Sequence, residues 1–272
     1  MPAIKIKKDF KDMIPVNEPL LHDEDFEYLK EAFKSGWISS AGKYIEEFEE
    51  GWAKYCGMKY GISVSNGTAA LQIAIEAAGI GENDEVIIPD FTIISCAQAI
   101  TNVGAIPIPI DSRMDTWCID ESKIEQQITK NTKAIMVVHM YGHVVDMDAI
   151  IKISNKYNLV IIEDAAEVHG AKYLSKRHTD NSEWLTCGGL GHISTFSFFA
   201  NKLITTGEGG MVVFREKKLS AFSKIIRDHG MNPDRRYWHD YVGSNYRLTN
   251  IQAAIGVSQL NRINKIIKIY LK

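Results

Sequence analysis

The chain of 272 residues carries 31 lysines and arginines against 34 aspartates and glutamates, a formal net charge of −3, and 45% of its residues are apolar. This is the composition of a globular protein with ample core, and its slightly acidic balance offers no electrostatic footprint for nucleic acid. The cysteines (Cys56, Cys96, Cys118 and Cys187) form no CxxC pair, which points to reduced thiols in a cytoplasmic protein, and no stretch approaches the length of a membrane span.

The opening MPAIKIKKDFKDMIP has no long apolar core and does not read as a signal peptide. Two amphipathic helices are expected next. One covers 24–34 with apolar Phe26, Leu29 and Phe33, and the other covers 43–55 with Ile45, Phe48, Trp52 and Tyr55. The segment GWISSAG joins them as a loop. From residue 61 onward, short apolar runs alternate with helical patterns. Strands are expected at 61–64, 85–89, 106–110, 134–138, 159–162, 194–198 and 211–214, and helices at 68–78, 93–103, 121–128, 147–157 and 217–228. Several of these strands are apolar on both faces, as strands covered by helices on both sides must be. The alternation predicts an α/β fold with a mostly parallel sheet. A last helix is expected from 250 to the end, carrying Ile251, Ala254, Ile255, Val257 and Leu260.

Three segments could carry chemistry. In SVSNGTAALQIAI a strand ends, Asn66-Gly67 turns the chain and Thr68, a good N-cap, starts a helix. Free amides and the positive helix end are placed there to meet an anion, although capping alone would explain the threonine. No lysine occupies the P-loop position, so a nucleoside-triphosphate site is excluded. In LVIIEDAAEVHGA a buried strand delivers Glu163 and Asp164 at its carboxyl end, where open parallel sheets bind ligands. Alternation turns these two acids to opposite sides, and the inward one needs a cation or hydrogen-bond donors. In STFSFFANKLITTGEGG, Lys202 follows a buried strand and precedes glycines that let the backbone turn. His139 and His143 have a zincin-like separation, but the glycine between them argues against a shared helix face, so no metal is expected.

A phosphate cradle, a strand-end acid and a lysine after another strand are the three features that pyridoxal 5'-phosphate requires. The chain resembles the sugar aminotransferases of the DegT/DnrJ/EryC1/StrS family. The resemblance rests on GWISSAG, NGTAAL, PDFT, IEDAAEVHGA, FSFFANKLITTGEGG, RDHG and GSNYRLTNIQAAIG, which cover nearly the whole chain in order. It implies a type I, aspartate-aminotransferase-like fold of the pyridoxal-phosphate transferases. It also implies amination at C4 of a nucleotide-diphospho-4-keto-6-deoxy sugar, GDP-linked 4-keto-6-deoxymannose, with L-glutamate as donor.

On that resemblance, Lys202 is the lysine joined to the cofactor aldehyde and the catalytic proton carrier, Asp164 faces the pyridine nitrogen, and Glu167 lies near the 3'-oxygen. Gly67, Thr68, Ala69 and Ser197 hold the phosphate, and Asn245 reaches it from the neighbouring subunit of a homodimer with shared sites. Ile93 stands where family members often stack an aromatic on the ring, which leaves aliphatic stacking or a contribution from Phe91. Trp37, Ser39, Ser40 and Arg247 are candidate substrate contacts by loop position. The expected organisation is an N-terminal helical segment and substrate loop over 1–55, a large cofactor-binding α/β domain over 56–248, and, over 249–272, the start of a linker helix to a C-terminal small domain. Family chains continue for on the order of a hundred residues past this end, so the small domain is expected to be cropped. Two other readings stay open: a sugar 3-dehydratase of the same fold, in which a histidine would replace Lys202, and a truncated inactive fragment or cofactor-binding subunit that works only with a partner.

Overall fold

The computed structural model describes residues 17–176 and 183–271, so the whole segment read against a signal peptide, 1–15, lies outside the described residues. Nine strands form. β1 (Tyr60–Val64), β2 (Glu85–Pro89), β3 (Ile106–Ile110), β4 (Thr132–Val138), β5 (Val160–Asp164), β8 (Ile193–Ser197) and β9 (Gly210–Phe214) make one sheet in the order β1-β9-β8-β5-β4-β2-β3. β9 runs antiparallel to both of its neighbours, and every other pairing is parallel, so the sheet is mostly parallel as expected. β6 (Lys172–Ser175) and β7 (Glu183–Thr186) form a separate antiparallel hairpin that the alternation pattern did not reveal.

Among the described residues eight α-helices pack on this frame: α1 (Asp23–Lys34), α2 (Lys43–Tyr55), α3 (Gly67–Ala77), α4 (Ile94–Thr101), α5 (Met147–Tyr157), α6 (Lys217–Arg227), α7 (Asn250–Asn261) and α8 (Ile263–Tyr270). Every residue of β9 is buried, as is nearly every residue of β4 and β8, which is why these segments read as unbroken apolar runs. β3 is a sheet-edge strand and is largely uncovered, so IPIPI is apolar by composition and not by burial. The expected helix over 121–128 is instead two short 3₁₀ turns, and the terminal helix breaks at Arg262.

α1 departs most from its pattern. Phe26 and Phe33 are 61% and 69% exposed, while Asp25 and Ala32 are buried. Polar docking decides the face: Asp25 accepts hydrogen bonds from the Ser258 hydroxyl at 2.7 Å and from the Arg262 guanidinium. α2 follows its stripe, with Ile45, Phe48 and Trp52 in the core. Phe48 and Trp52 pack on Phe198, each with ring centroids 4.9 Å apart. Among the described residues no helix is long and apolar enough to cross a membrane.

The loop between α1 and α2 is stapled to the start of α7 by Asn250, which is 1% exposed. Its side-chain amide donates to Trp37 O at 2.7 Å, its side-chain carbonyl accepts from Tyr44 N at 3.0 Å, and its backbone N–H donates to Ser39 O at 2.6 Å. Replacing it with alanine strands a buried donor and an acceptor. Asn250→Ala is therefore expected to lower unfolding free energy by about 2–4 kcal/mol in urea titrations.

Candidate active site

The carboxyl ends of the parallel strands converge on one cavity of about 390 Å³. The chain leaving β1 supplies Asn66, Gly67 and Thr68, and that leaving β2 supplies Thr92 and Ile93. The chain leaving β4 supplies His139 and Met140, β5 supplies Asp164 and then Glu167, and β8 supplies Ser197 and then Lys202. Such a crevice at the carboxyl edge is where open α/β sheets bind ligands, and the volume suits a small cofactor.

Glu163 and Asp164 occupy successive positions of β5, so the pleat sends their side chains to opposite faces. Glu163 is fully buried and accepts from five donors: the amides of Gly188, Leu190 and Gly191, the Ser194 hydroxyl and His139 Nε2. His139 Nδ1 accepts from Val145 N at 3.3 Å, which assigns the Nε2 proton to the bond with Glu163. Burial alone would raise the Glu163 pKa, but His139 and these amides outweigh it and hold the carboxyl below its ordinary value. Glu163 is thus saturated and structural.

Asp164 is poorly satisfied by comparison. Its Oδ1 accepts from Ala166 N at 3.1 Å and its Oδ2 from the Cys96 thiol at 3.4 Å. Burial pushes its pKa up, and the donors, Lys202 and His139 oppose this only in part. A buried carboxylate with spare acceptor capacity at a cavity wall is built to meet a donor from outside the chain.

Lys202 Nζ donates to Glu167 Oε1 at 3.0 Å, and Glu167 Oε2 accepts from Tyr141 N at 2.8 Å. Tyr141 adopts a left-handed conformation at φ 47°, an unusual backbone for a bulky residue, and that turn aims its amide at Glu167. Glu167 is therefore held from both oxygens.

At the anion cradle the N-cap is Asn66, not Thr68: its side-chain oxygen accepts from Ala69 N at 2.8 Å. This occupies the Ala69 amide and leaves those of Gly67 and Thr68 as the free first-turn donors. A Cβ on Gly67 would lie 2.8 Å from Ser197 Cβ, so glycine is what lets this turn approach the Ser197 hydroxyl. Gly210 similarly accommodates the Asn66 carbonyl, and Gly207 supplies the left-handed turn at φ 81°. Thr68 Oγ1 shares a hydrogen bond of 2.8 Å with Ser95 Oγ. Thr205 and Thr206 bond backbone carbonyls within the turn after β8.

Ile93 lines the cavity and is 61% exposed. Phe91 packs instead on Trp117, with centroids 5.7 Å apart, and contributes no wall. Asn245 and Arg247 lie outside the cavity of their own chain. Arg247 donates to Asn245 at 3.0 Å and to Asp228 at 2.6 Å. Trp37, Ser39 and Ser40 sit on the Asn250-stapled loop, away from Lys202, and Trp37 lines a separate hollow. His143 is exposed, and no group of three or more His, Cys, Asp or Glu side chains among the described residues could hold a metal.

His169 was not singled out from sequence, although it lies five residues past Asp164 in the same segment. Its Nδ1 accepts from Ile204 N at 3.4 Å, and the ring stands edge-on to Trp52. Burial, reinforced by the charge of Lys202, pushes its pKa down to about 3, so it stays a neutral acceptor beneath the lysine turn.

An acid with spare acceptor capacity, an amine in the same cavity and a helix start with free amides define a pyridoxal-phosphate-binding α/β protein, and these residues fit the ring, the aldehyde and the phosphate. The chain belongs to the DegT/DnrJ/EryC1/StrS aminotransferase family, whose pattern matches residues 19–269. It is 47% identical to GDP-perosamine synthase of Caulobacter vibrioides over 93% of this chain and 66% of that one. It is 48% identical to GDP-perosamine synthase of Escherichia coli O157:H7, over 93% and 67%. The crystal structure of 3-amino-5-hydroxybenzoic acid synthase superposes with a TM-score of 0.84 at 36% identity, covering 93% of this chain and 64% of that one. The chain thus spans about two thirds of the length of the relatives it matches. Pyridoxal 5'-phosphate is the cofactor of this family.

Two predictions follow from this geometry. Gly67→Ala displaces Ser197 from the cradle and should weaken pyridoxal phosphate binding about tenfold or more, the loss of one charge-assisted hydrogen bond, as read by fluorescence titration of apoprotein. For the acids the signs are opposite. Asp164 is raised, so apoprotein stability falls as pH rises from the ordinary carboxylate range through its folded pKa. Glu163 is lowered, so its contribution is present above the ordinary range and lost in acid. At neutral pH, apo Asp164→Asn should therefore unfold at higher denaturant than wild type, and Glu163→Gln at lower denaturant.

Proposed function

We propose that this chain is the cofactor-binding portion of an aminotransferase that converts GDP-4-keto-6-deoxymannose to its 4-amino derivative with L-glutamate as donor. The observation that carries the reading is the meeting of Lys202, Asp164 and the α3 amino terminus in one cavity. The choice of sugar is supported by the two relatives named GDP-perosamine synthase.

When bound, pyridoxal phosphate supplies an aldehyde that takes up amines and a ring that accepts an electron pair. Asp164, ionised, holds the proton on the ring nitrogen. Lys202 is the amine poised for the aldehyde and, when free, holds and moves the proton at the reacting carbon. Glu167, 3.0 Å away, is the resting place of that ammonium. The Gly67 and Thr68 amides and the Thr68 and Ser197 hydroxyls bind the phosphate at the positive end of α3. Ile93 covers the ring with an aliphatic face.

Asn245 lies outside its own chain's cavity, and we assign it to the phosphate of a second copy in a homodimer. Trp37, Ser39, Ser40 and Arg247 are assigned to the nucleotide sugar by their loop positions. The protein works in the cytoplasm, with residues 249–272 beginning the link to a small domain.

Purified protein given pyridoxal phosphate should show a visible absorbance band that Lys202→Ala abolishes while the far-ultraviolet circular dichroism is kept. With [15N]glutamate, label should enter C4 of the GDP-linked sugar in preference to UDP- and dTDP-linked 4-keto sugars. Lys202→Ala should reduce this turnover by about 10²–10⁴-fold or more. A colourless protein that takes up no cofactor would overturn the proposal, and a 3-deoxy ketone product would reassign it to dehydration.

A further inference from the structure

Cys96 lies behind the cavity wall and is fully buried on α4. Its Sγ donates to Asp164 Oδ2 at 3.4 Å and stands 3.4 Å from Thr92 Oγ1. With the thiol proton directed at the carboxylate, the Thr92 hydroxyl donates to sulfur. A directed chain therefore runs from a residue that lines the cavity, through one that does not, to the acid. Among the described residues Cys96 is the only side chain that donates to the Asp164 carboxylate, and the Ala166 amide is its only other donor.

The neighbouring acid supplies the contrast. Glu163 is surrounded by amides, a hydroxyl and an imidazole. Asp164, one residue on, receives a single amide and the weakest donor among polar side chains. A serine hydroxyl at position 96, once the buried carboxylate closes the gap left by the shorter C–O bond, makes a charge-assisted O–H···O⁻ bond of roughly twice the strength of an ordinary one and draws charge from the carboxylate. Burial, and then the charge of Asp164, raises the Cys96 pKa, so the thiol keeps its proton and remains a donor at working pH.

We propose that Cys96 is a positioning residue for the cofactor ring: its weak thiol donor orients Asp164 Oδ2 while leaving that carboxylate basic enough to retain a proton on the ring nitrogen. This rests on the reading of the cavity given above. It concerns what lies behind the acid, with Thr92 fixing the direction of the thiol.

The test begins without cofactor. In apoprotein labelled with carboxyl-13C aspartate, the Asp164 signal is identified by its loss in Asp164→Asn and then titrated with pH. Hydrogen bonding to the ionised form lowers a carboxyl pKa, so the midpoint should fall in Cys96→Ser and rise in Cys96→Ala. The ionisation constants should differ several-fold between successive proteins. In holoenzyme carrying ring-15N pyridoxal phosphate, Cys96→Ser should move the nitrogen resonance toward the unprotonated value and lower kcat with little change in sugar KM. A control needs no variant to fold: in wild-type apoprotein one S–H stretching band should shift as Asp164 titrates.

Coincident midpoints, a serine variant titrating above wild type, or an S–H band that ignores Asp164 would overturn the proposal. So would a ring nitrogen indifferent to Cys96→Ser. Failure of wild type to take up pyridoxal phosphate would overturn the function proposed above and, with it, the link to the ring. The apoprotein order would still show that the thiol sets Asp164.

Discussion

The pleat of β5 separates two adjacent carboxylates, and the rest of the site depends on that separation. Glu163 turns to the side where the segment 188–194 folds over it, and four of its five donors tie β5 to the chain entering β8, while the fifth, His139, ties it to the end of β4. Asp164 turns to the cavity and is left with two weak partners. A one-residue slip of register would exchange these fates, burying the wrong acid among the amides and turning the other to the cavity. The parallel pairing of β5 with β4 and β8 holds that register.

The lysine turn is anchored with comparable redundancy. Phe198 lies beneath α2 in a cluster with Phe48 and Trp52, and His169 accepts the Ile204 amide just beyond Lys202. Thr205 fastens the same turn to Phe198 O and to Gln259 on α7. Lys202 is therefore presented to the cavity by a short, braced loop. Glu167 faces it from the chain after β5 and is itself fixed by the left-handed Tyr141.

α7 connects this machinery to the amino-terminal part of the chain. Gln259 reaches the lysine turn, Asn250 staples the loop between α1 and α2, and Ser258 with Arg262 docks Asp25 of α1. These are polar contacts between segments more than two hundred residues apart, apart from the Gln259 bond. They go with α1 burying an aspartate while Phe26 and Phe33 stay exposed: Asp25 meets Ser258 of α7 and Arg262 at the break before α8, and among the described residues no core covers the apolar stripe.

The amino-acid sequence by itself determined the elements whose burial is uniform and the residues whose chemistry is local. Unbroken apolar runs marked β4, β5, β8 and β9, Asn66-Gly67 marked the turn into α3, and Lys202 and Asp164 stood at strand ends where ligands bind. Only the tertiary structure decided the remainder, because each point depends on groups distant in the chain. The capping role passed from Thr68 to Asn66 once helix geometry allocated the Ala69 amide. Phe91 turned to Trp117 and left Ile93 at the cavity. The hairpin of β6 and β7 lacks a clean alternating pattern, so its pairing became visible only in three dimensions. Which of two neighbouring acids faced the cavity, and which was saturated, showed only in the donors around each, and those come from segments that composition and periodicity do not bring together.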